Sequence, residues 1–267
     1  MSNPYPPGDG GLDPERIRAS LGPDSDLFRL ECHPVLPSTN DRARDAANAG
    51  EAPWLVVMAE KQTAGRGRRG RTWDSPAGIN LYQTITLPGP AFWEEYGHLP
   101  FVVAVAFAEG LEGLGCHLAL KWPNDLLNPQ GEKVGGILAE TELASGQVII
   151  GVGLNVNGQG SPTPKDGAPA PGSLRAQGMQ ALDRNLLAAL VLRALARVWQ
   201  EYRHDGFQGI RARWESRAWK LGQMVWLEEE TFAVKGRLEG LDLWGRLLLD
   251  TEEGRQAFSS GSVRVHG

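Results

Sequence analysis

The densest chemistry in the sequence is the nine-residue stretch GRGRRGRTW at residues 65–73. Four arginines stand among three glycines. Arginine's planar fork suits bidentate contact with phosphate or carboxylate, and small glycines let backbone N–H groups wrap an anion. Residues 61–73 hold five of the chain's 27 basic residues and none of its 32 acidic ones. The whole chain carries a net charge of −5. A basic loop on an acidic protein points to one specific anion rather than a polyanion track. The overall acidity speaks against a general nucleic-acid binder.

Several phosphate-handling readings compete for this loop. Its first six letters fit G-x-G-x-x-G, which in dinucleotide-binding proteins comes after a strand and opens a helix, with an acid about 20 residues on. A β-branched run does precede it. The next residues are RTWDSPAGIN, where Pro76 and Gly78 keep a long helix from opening. Residues 85–90, ITLPGP, hold no acid, and no G-K-[ST] ends the loop as in a Walker A motif. A nucleic-acid arm asks for aromatics interleaved with repeated basic residues, and Trp73 is the single aromatic here. The bland reading is a solvated flexible loop. The sharper one is a loop that stays open when empty and orders over a negatively charged ligand.

The elements around it are set by periodicity and punctuation. Residues 1–15, rich in Pro and Gly, read as frayed, and PERIRASLG as a short helix. Residues 28–34 and 54–62 read as strands. Between them, 38–50 read as a helix capped by Ser38 or Thr39 and ended by Gly50. Residues 80–87 alternate as a half-buried strand, and 98–115 form an apolar helix stopped by glycine. HLALKWP at 117–123 is a strand, with LLN and a turn after it. Residues 133–143 and 147–157 form a hairpin pair turning at Ser145 and Gly146. Residues 158–178 are a long loop, functional or disordered. Helices come next, over 182–204 and 209–218. From Gly222 the pattern changes to short strands of a small β-barrel or sheet. Helices between antiparallel strands predict an α+β fold.

The 267 residues suffice for one good-sized core with room for a small second domain. The two cysteines, Cys32 and Cys116, suggest neither a disulfide framework nor a zinc site. The five histidines (33, 98, 117, 204 and 266) show no ligand spacing. The N-terminus has no apolar signal region. The longest apolar run, 101–108, is far short of the ~20 residues that cross a bilayer. A cytoplasmic enzyme or binding protein is expected.

Five blocks then line up with a family. STN at 38–40, EKQTAGRGRRGRTWDSPAGINLY at 60–82, KWPNDLL at 121–127, KVGGILAE at 133–140 and GVGLN at 151–155 stand in order. The chain resembles the biotin–protein ligases. The resemblance implies a mixed-sheet catalytic domain with packed helices over 28–219. A short N-terminal extension over 1–27 precedes it, and a small SH3-like β-domain over 220–267 comes after it. It implies activation of biotin by ATP as biotinyl-5′-AMP, then transfer to one lysine of a biotin carboxyl carrier protein. Mg²⁺ would ride on the ATP phosphates.

Site residues come from the same blocks. The resemblance implies that Arg66, Arg68 and Lys133 carry the catalysis, against the carboxylate and the phosphate. It implies a ureido site of Ser38, Thr39 and Gln62, with backbone near Gly65, and counts Asn40 and Gly67 among the biotin contacts. It implies an apolar wall of Gly135, Gly136 and Leu138 for the rest of biotin. Arg69, Arg71, Trp73, Lys121, Asn124, Asp125 and Asn155 are the expected ATP or adenylate contacts, Trp73 stacking on adenine and Asn155 reading its edge. Asp125 is the candidate magnesium or acceptor-lysine contact. From the residues alone, Ser38 or Thr39 is a helix cap, Lys133 a surface lysine and Trp73 a core residue.

Some family members carry an N-terminal DNA-binding module of about 60 residues. Only 37 residues precede Ser38, so ligase without repressor function is expected. The family ranges from monomers to homodimers, and no specific DNA or membrane partner is expected. The family's G-E-V element reads GSV at 261–263 here, which puts that glutamate's role in doubt. The alternatives are a lipoate–protein ligase, which shares the catalytic fold, and a nucleic-acid binder using the arginine loop.

Overall fold

Hydrogen-bonded pairing sorts the strands into two sheets in a computed structural model of the chain. It describes residues 10–90, 92–142, 144–158, 169–175, 180–229 and 231–265, with backbone only at 93 and 94. The larger sheet holds β1 (Arg29–Leu36), β2 (Leu55–Gln62), β3 (Leu81–Pro88), β4 (Ala119–Lys121), β5 (Asp125–Leu127), β6 (Lys133–Glu142) and β7 (Gln147–Leu154). Their spatial order is β1-β2-β3-β7-β6-β5-β4. β1 and β2 run parallel, and every other neighbouring pair is antiparallel.

The run LVVMA in β2 is apolar throughout because both faces of the sheet are covered. Leu55 and Val57 pack with Ala43, Ala46 and Ile149, under helix α2 (Thr39–Asn48). Val56 and Met58 face the main core, with Leu81 and Ile85. That core is closed by α3 (Leu99–Glu112), α4 (Arg184–Asp205) and α1 (Pro14–Leu21). α3 is apolar all round, with ten of its fourteen residues buried, as a helix caught between sheet and helices must be. Each large apolar side chain buried this way contributes ~1.5–3 kcal/mol. Helix α5 (Phe207–Glu215) leads into β8 (Met224–Glu228), β9 (Ala233–Leu241), β10 (Leu247–Thr251), β11 (Gly254–Phe258) and β12 (Ser262–Arg264). These five form one antiparallel sheet.

The two sheets meet through specific bonds. His98 Nε2 lies 2.9 Å from the Leu243 carbonyl, and the Trp122 indole donates to the Gly245 carbonyl at 3.2 Å. Glu215 accepts the Leu241 N–H at 2.9 Å. Helix α3 packs on α5 in turn, Phe101 meeting Trp214 edge-on with ring centroids 5.6 Å apart.

Several expected elements shift. The strand expected over 117–123 stops at Lys121, since Pro123 has no N–H for a ladder. α5 begins two residues early, after Gly206 at φ 73°. The N-terminal segment is not frayed throughout. The Leu12 N–H donates to Glu60 at 2.5 Å, the Asp13 N–H to Asn185 at 2.8 Å, and Asp13 caps α1. Residues 1–9 lie outside the described residues. So do 159–168 and 176–179 of the long loop, but its remaining stretch has structure. The Lys133 N–H donates to the Ala170 carbonyl at 2.6 Å, and Gly172 donates back to Lys133 at 2.9 Å. The loop therefore returns beside the first residue of β6.

Candidate active site

Glycines on neighbouring strands make the floor of the site. Gly136 and Gly153 are register partners across β6 and β7, and Gly151 pairs with Leu138. The Trp73 indole lies on this floor. A Cβ on Gly153 would collide with it, one on Gly136 would press on it, and one on Gly151 would collide with the Asn40 amide. Period two puts Gly135 on the other face, against Leu126 and Leu154. The expected wall is thus corrected to Gly136 and Leu138 without Gly135.

One wall is polar and already bonded. Gln62, the last residue of β2, accepts from the Thr39 N–H at 2.9 Å and the Thr39 hydroxyl at 3.1 Å, and donates to Ser75 at 3.1 Å. The Thr84 hydroxyl lies 2.8 Å from that of Thr39 and donates to Asn40 Oδ1 at 2.6 Å. Asn40 donates to Glu140 at 2.6 Å. Ser38 occupies the cap position of α2, but its side chain makes no capping bond. Ser38, Thr39 and Asn40 are buried. Gly65 does not line the cavity, because it packs beneath the Trp73 carbonyl, Ser75 and Gln62.

The cations divide by partner. Arg66 grips Asp41 with two bonds of 2.7 and 2.8 Å. That bonding, outweighing partial burial, holds Asp41 below the usual carboxylate range and Arg66 above its own. Arg69 pairs with Glu229, the residue that comes after β8. Arg68 donates to the side-chain oxygen Oδ1 of Asn124, at 3.3 Å. Burial and the neighbouring charge of Arg69 push its guanidinium down. Arg71 is exposed at the rim.

Asp125 lies between two ammonium groups, Lys133 at 2.5 Å and Lys121 at 3.1 Å. Burial pushes its carboxyl up, but the two lysines outweigh this and hold it low. Lys121 is buried and pushed down by desolvation. Lys133 is 30% exposed, with Nζ 5.5 Å from the Trp73 ring centre. In this arrangement both Asp125 oxygens are engaged by cations, which leaves neither open to Mg²⁺. Among the described residues no group of three His, Cys, Asp or Glu side chains could hold a metal.

Together these groups line one cavity of about 260 Å³. It takes in Ser38, Thr39, Asn40, Gln62, Arg66, Gly67, Arg68, Arg69, Arg71, Trp73, Lys121, Asn124, Asp125, Lys133, Gly136 and Leu138. Asn155 is elsewhere. It lines a second cavity of about 200 Å³ with Pro171, Gly172 and Ser173. Its amide N–H donates to the Gly172 carbonyl at 2.9 Å. Trp73 and Lys133 line both cavities and so form their partition. Sequence reasoning missed Gly151 and Gly153, although the alternation in GVGLN opposite KVGG signals a bare strand face. The GSV element at 261–263 brings Gly261 and Ser262 to the main cavity.

A prebuilt polar wall, a bare glycine floor and cations grouped at one end describe a site for a small organic acid meeting a phosphate. Residues 32–156 match the Biotin/lipoate A/B protein ligase family, and residues 220–265 match the Biotin protein ligase C terminal domain. The biotin–[acetyl-CoA-carboxylase] ligase of Paracoccus denitrificans is 37% identical over 239 residues, covering 86% of this chain and 98% of that one. The bifunctional ligase/repressor BirA of Bacillus subtilis is 32% identical over 260 residues, covering 96% of this chain and 80% of that one. The solved biotin protein ligase of Aquifex aeolicus, in complex with biotin and ATP, superposes with a TM-score of 0.76 at 30% identity, covering 89% of this chain and 99% of that one. The chain belongs to the biotin protein ligase family.

Proposed function

We propose that the protein is an ATP-dependent biotin–protein ligase. Biotin's carboxylate oxygen attacks the α-phosphorus of ATP, the bond to the bridging oxygen breaks, and pyrophosphate leaves. An acceptor lysine amine of a biotin carboxyl carrier protein then attacks the acyl carbon, loses a proton and displaces AMP. The observation that carries the reading is one cavity whose hydrogen-bonding wall ends at Thr39 and Gln62 and whose cations gather at Arg68 and Lys133.

The wall of Ser38, Thr39, Asn40 and Gln62 takes the ureido ring, which offers two N–H donors and one carbonyl. Gly136 and Leu138 take the hydrocarbon. Two anions must meet for adenylation, so cations at the junction lower the barrier by neutralising charge where it develops. Arg68 carries no ion pair among the described residues and is the ready cation. Lys133 must exchange Asp125 for the ligand. Lys121 makes that exchange feasible, since it stays on Asp125 and leaves no buried carboxylate unpaired. Arg66 leaves Asp41 at small cost, because a partly exposed ion pair is worth ~0–1 kcal/mol. Asn155 offers an amide to the adenine edge in the second cavity, with Trp73 stacking between. Mg²⁺ rides on the triphosphate and needs no protein cage.

Residues 28–219 form the catalytic unit and 220–267 an SH3-like one. The use of ATP as co-substrate supports a cytoplasmic enzyme. No helix among the described residues is long and apolar enough to cross a membrane. Biotin-dependent exchange of labelled pyrophosphate into ATP tests the reading. Exchange driven by biotin and not by lipoate is expected. Exchange with lipoate alone moves the chain to lipoate ligation, and exchange with neither removes the proposal.

A further inference from the structure

We infer that Glu229, on the C-terminal domain, is a positioning residue that keeps the basic loop closed over its product by holding Arg69. The inference rests on the ligase reading and adds how the loop is held shut. Arg69 donates to Glu229 Oε1 across 160 residues of sequence. Its backbone stands at φ 57° and ψ 40°, with Gly70 next at φ 69°. A non-glycine residue there is strained and persists where surrounding contacts over-determine it. The ion pair supplies such a contact.

The carboxylate is committed to this partner. Glu229 is 19% exposed, its N–H is fixed to the Phe232 carbonyl at 2.9 Å, and Oε2 is buried with no hydrogen bond among the described residues. The neighbour of Arg69 is Arg68, the cation facing the cavity without an ion pair. One peptide unit, about 3.8 Å between Cα atoms, separates the held residue from the working one. The same domain also reaches the cavity through Gly261 and Ser262. The C-terminal domain thus braces the loop from outside while its own edge closes the rim.

The test uses the full chain loaded with biotin and ATP, then desalted. Release of labelled biotinyl-AMP and stray labelling of free amines are measured over time. Glu229→Gln is expected to form the adenylate at the wild-type rate and release it about three to ten times faster. The exchange Arg69→Glu with Glu229→Arg is expected to slow release again, which a merely structural role would not produce. Wild-type release in Glu229→Gln overturns the inference, and so does an exchange variant as leaky as the single one. A wild-type protein that forms no adenylate removes instead the ligase reading beneath it.

Discussion

The two halves of the cavity are built on opposite principles. The polar wall and glycine floor stand on strand ends and a helix start, with Thr39, Asn40, Gln62 and Thr84 bonded to one another and Thr39, Asn40 and Thr84 buried. The basic loop has almost no such support. It is held by ion pairs at Arg66 and Arg69, by the Gly67 N–H to the Arg71 carbonyl and by the Trp73 N–H to the Gly65 carbonyl. The difference separates two tasks. A small neutral ring is recognised best by groups fixed before it arrives, because fixed groups lose little freedom on binding. A labile mixed anhydride needs a cover that opens to admit and closes to exclude water.

Breaking the comparison at its seam gives the largest effect. Lys133→Ala removes the one cation shared by both cavities and is expected to lower adenylation about a thousandfold in single-turnover assays. Its melting temperature should stay near wild type, since Lys121 still pairs with Asp125. Gly153→Val puts a side chain where the Trp73 indole lies. Adenylation should fall about a hundredfold, the cost of misplacing reacting groups by an ångström. Biotin binding by tryptophan fluorescence should fall less. Arg68→Ala acts on the cover alone. Biotin affinity should hold, while retention of the adenylate on a desalting column weakens about tenfold. Equal losses of biotin affinity in Gly153→Val and Arg68→Ala would erase the distinction between floor and cover.

The smallest effect is a pH dependence at the seam between sheets. His98 stacks on Phe207 with ring centres 4.0 Å apart, and burial holds it below its ordinary value against the pull of the Leu243 carbonyl, Glu95 and Asp242. The unfolded chain therefore takes up its proton first. The stability from neutral His98 is complete above about pH 6.5 and is lost as pH falls toward the folded value. Thermal melts across that range should show a slope that His98→Gln removes.

Much of the molecule is legible in its sequence because it is local. LVVMAEKQ carries its strand, STN its helix start, and the blocks at 121–127 and 133–140 the lysine pair around Asp125. The failures come from non-local geometry or from phase. Gly135 reads with Gly136 because adjacent glycines look alike in a string, whereas period two sends them to opposite faces. Asn155 reads with the arginines, but the chain at 169–175 returns alongside Lys133 and walls off a second cavity. All four arginines line the cavity, and what nothing in the loop announces is that Asp41 pairs with Arg66 and Glu229 with Arg69.

The proposal at the centre of this picture is that the wall recognises biotin before the loop is needed. Calorimetric titration of the wild-type chain with biotin, and then with ATP, tests that order most directly. The predicted result is a single biotin site in the nanomolar to micromolar range, unchanged in Arg68→Ala and weakened in Gln62→Leu. No heat with biotin alone, or an affinity lost in Arg68→Ala and kept in Gln62→Leu, would contradict it.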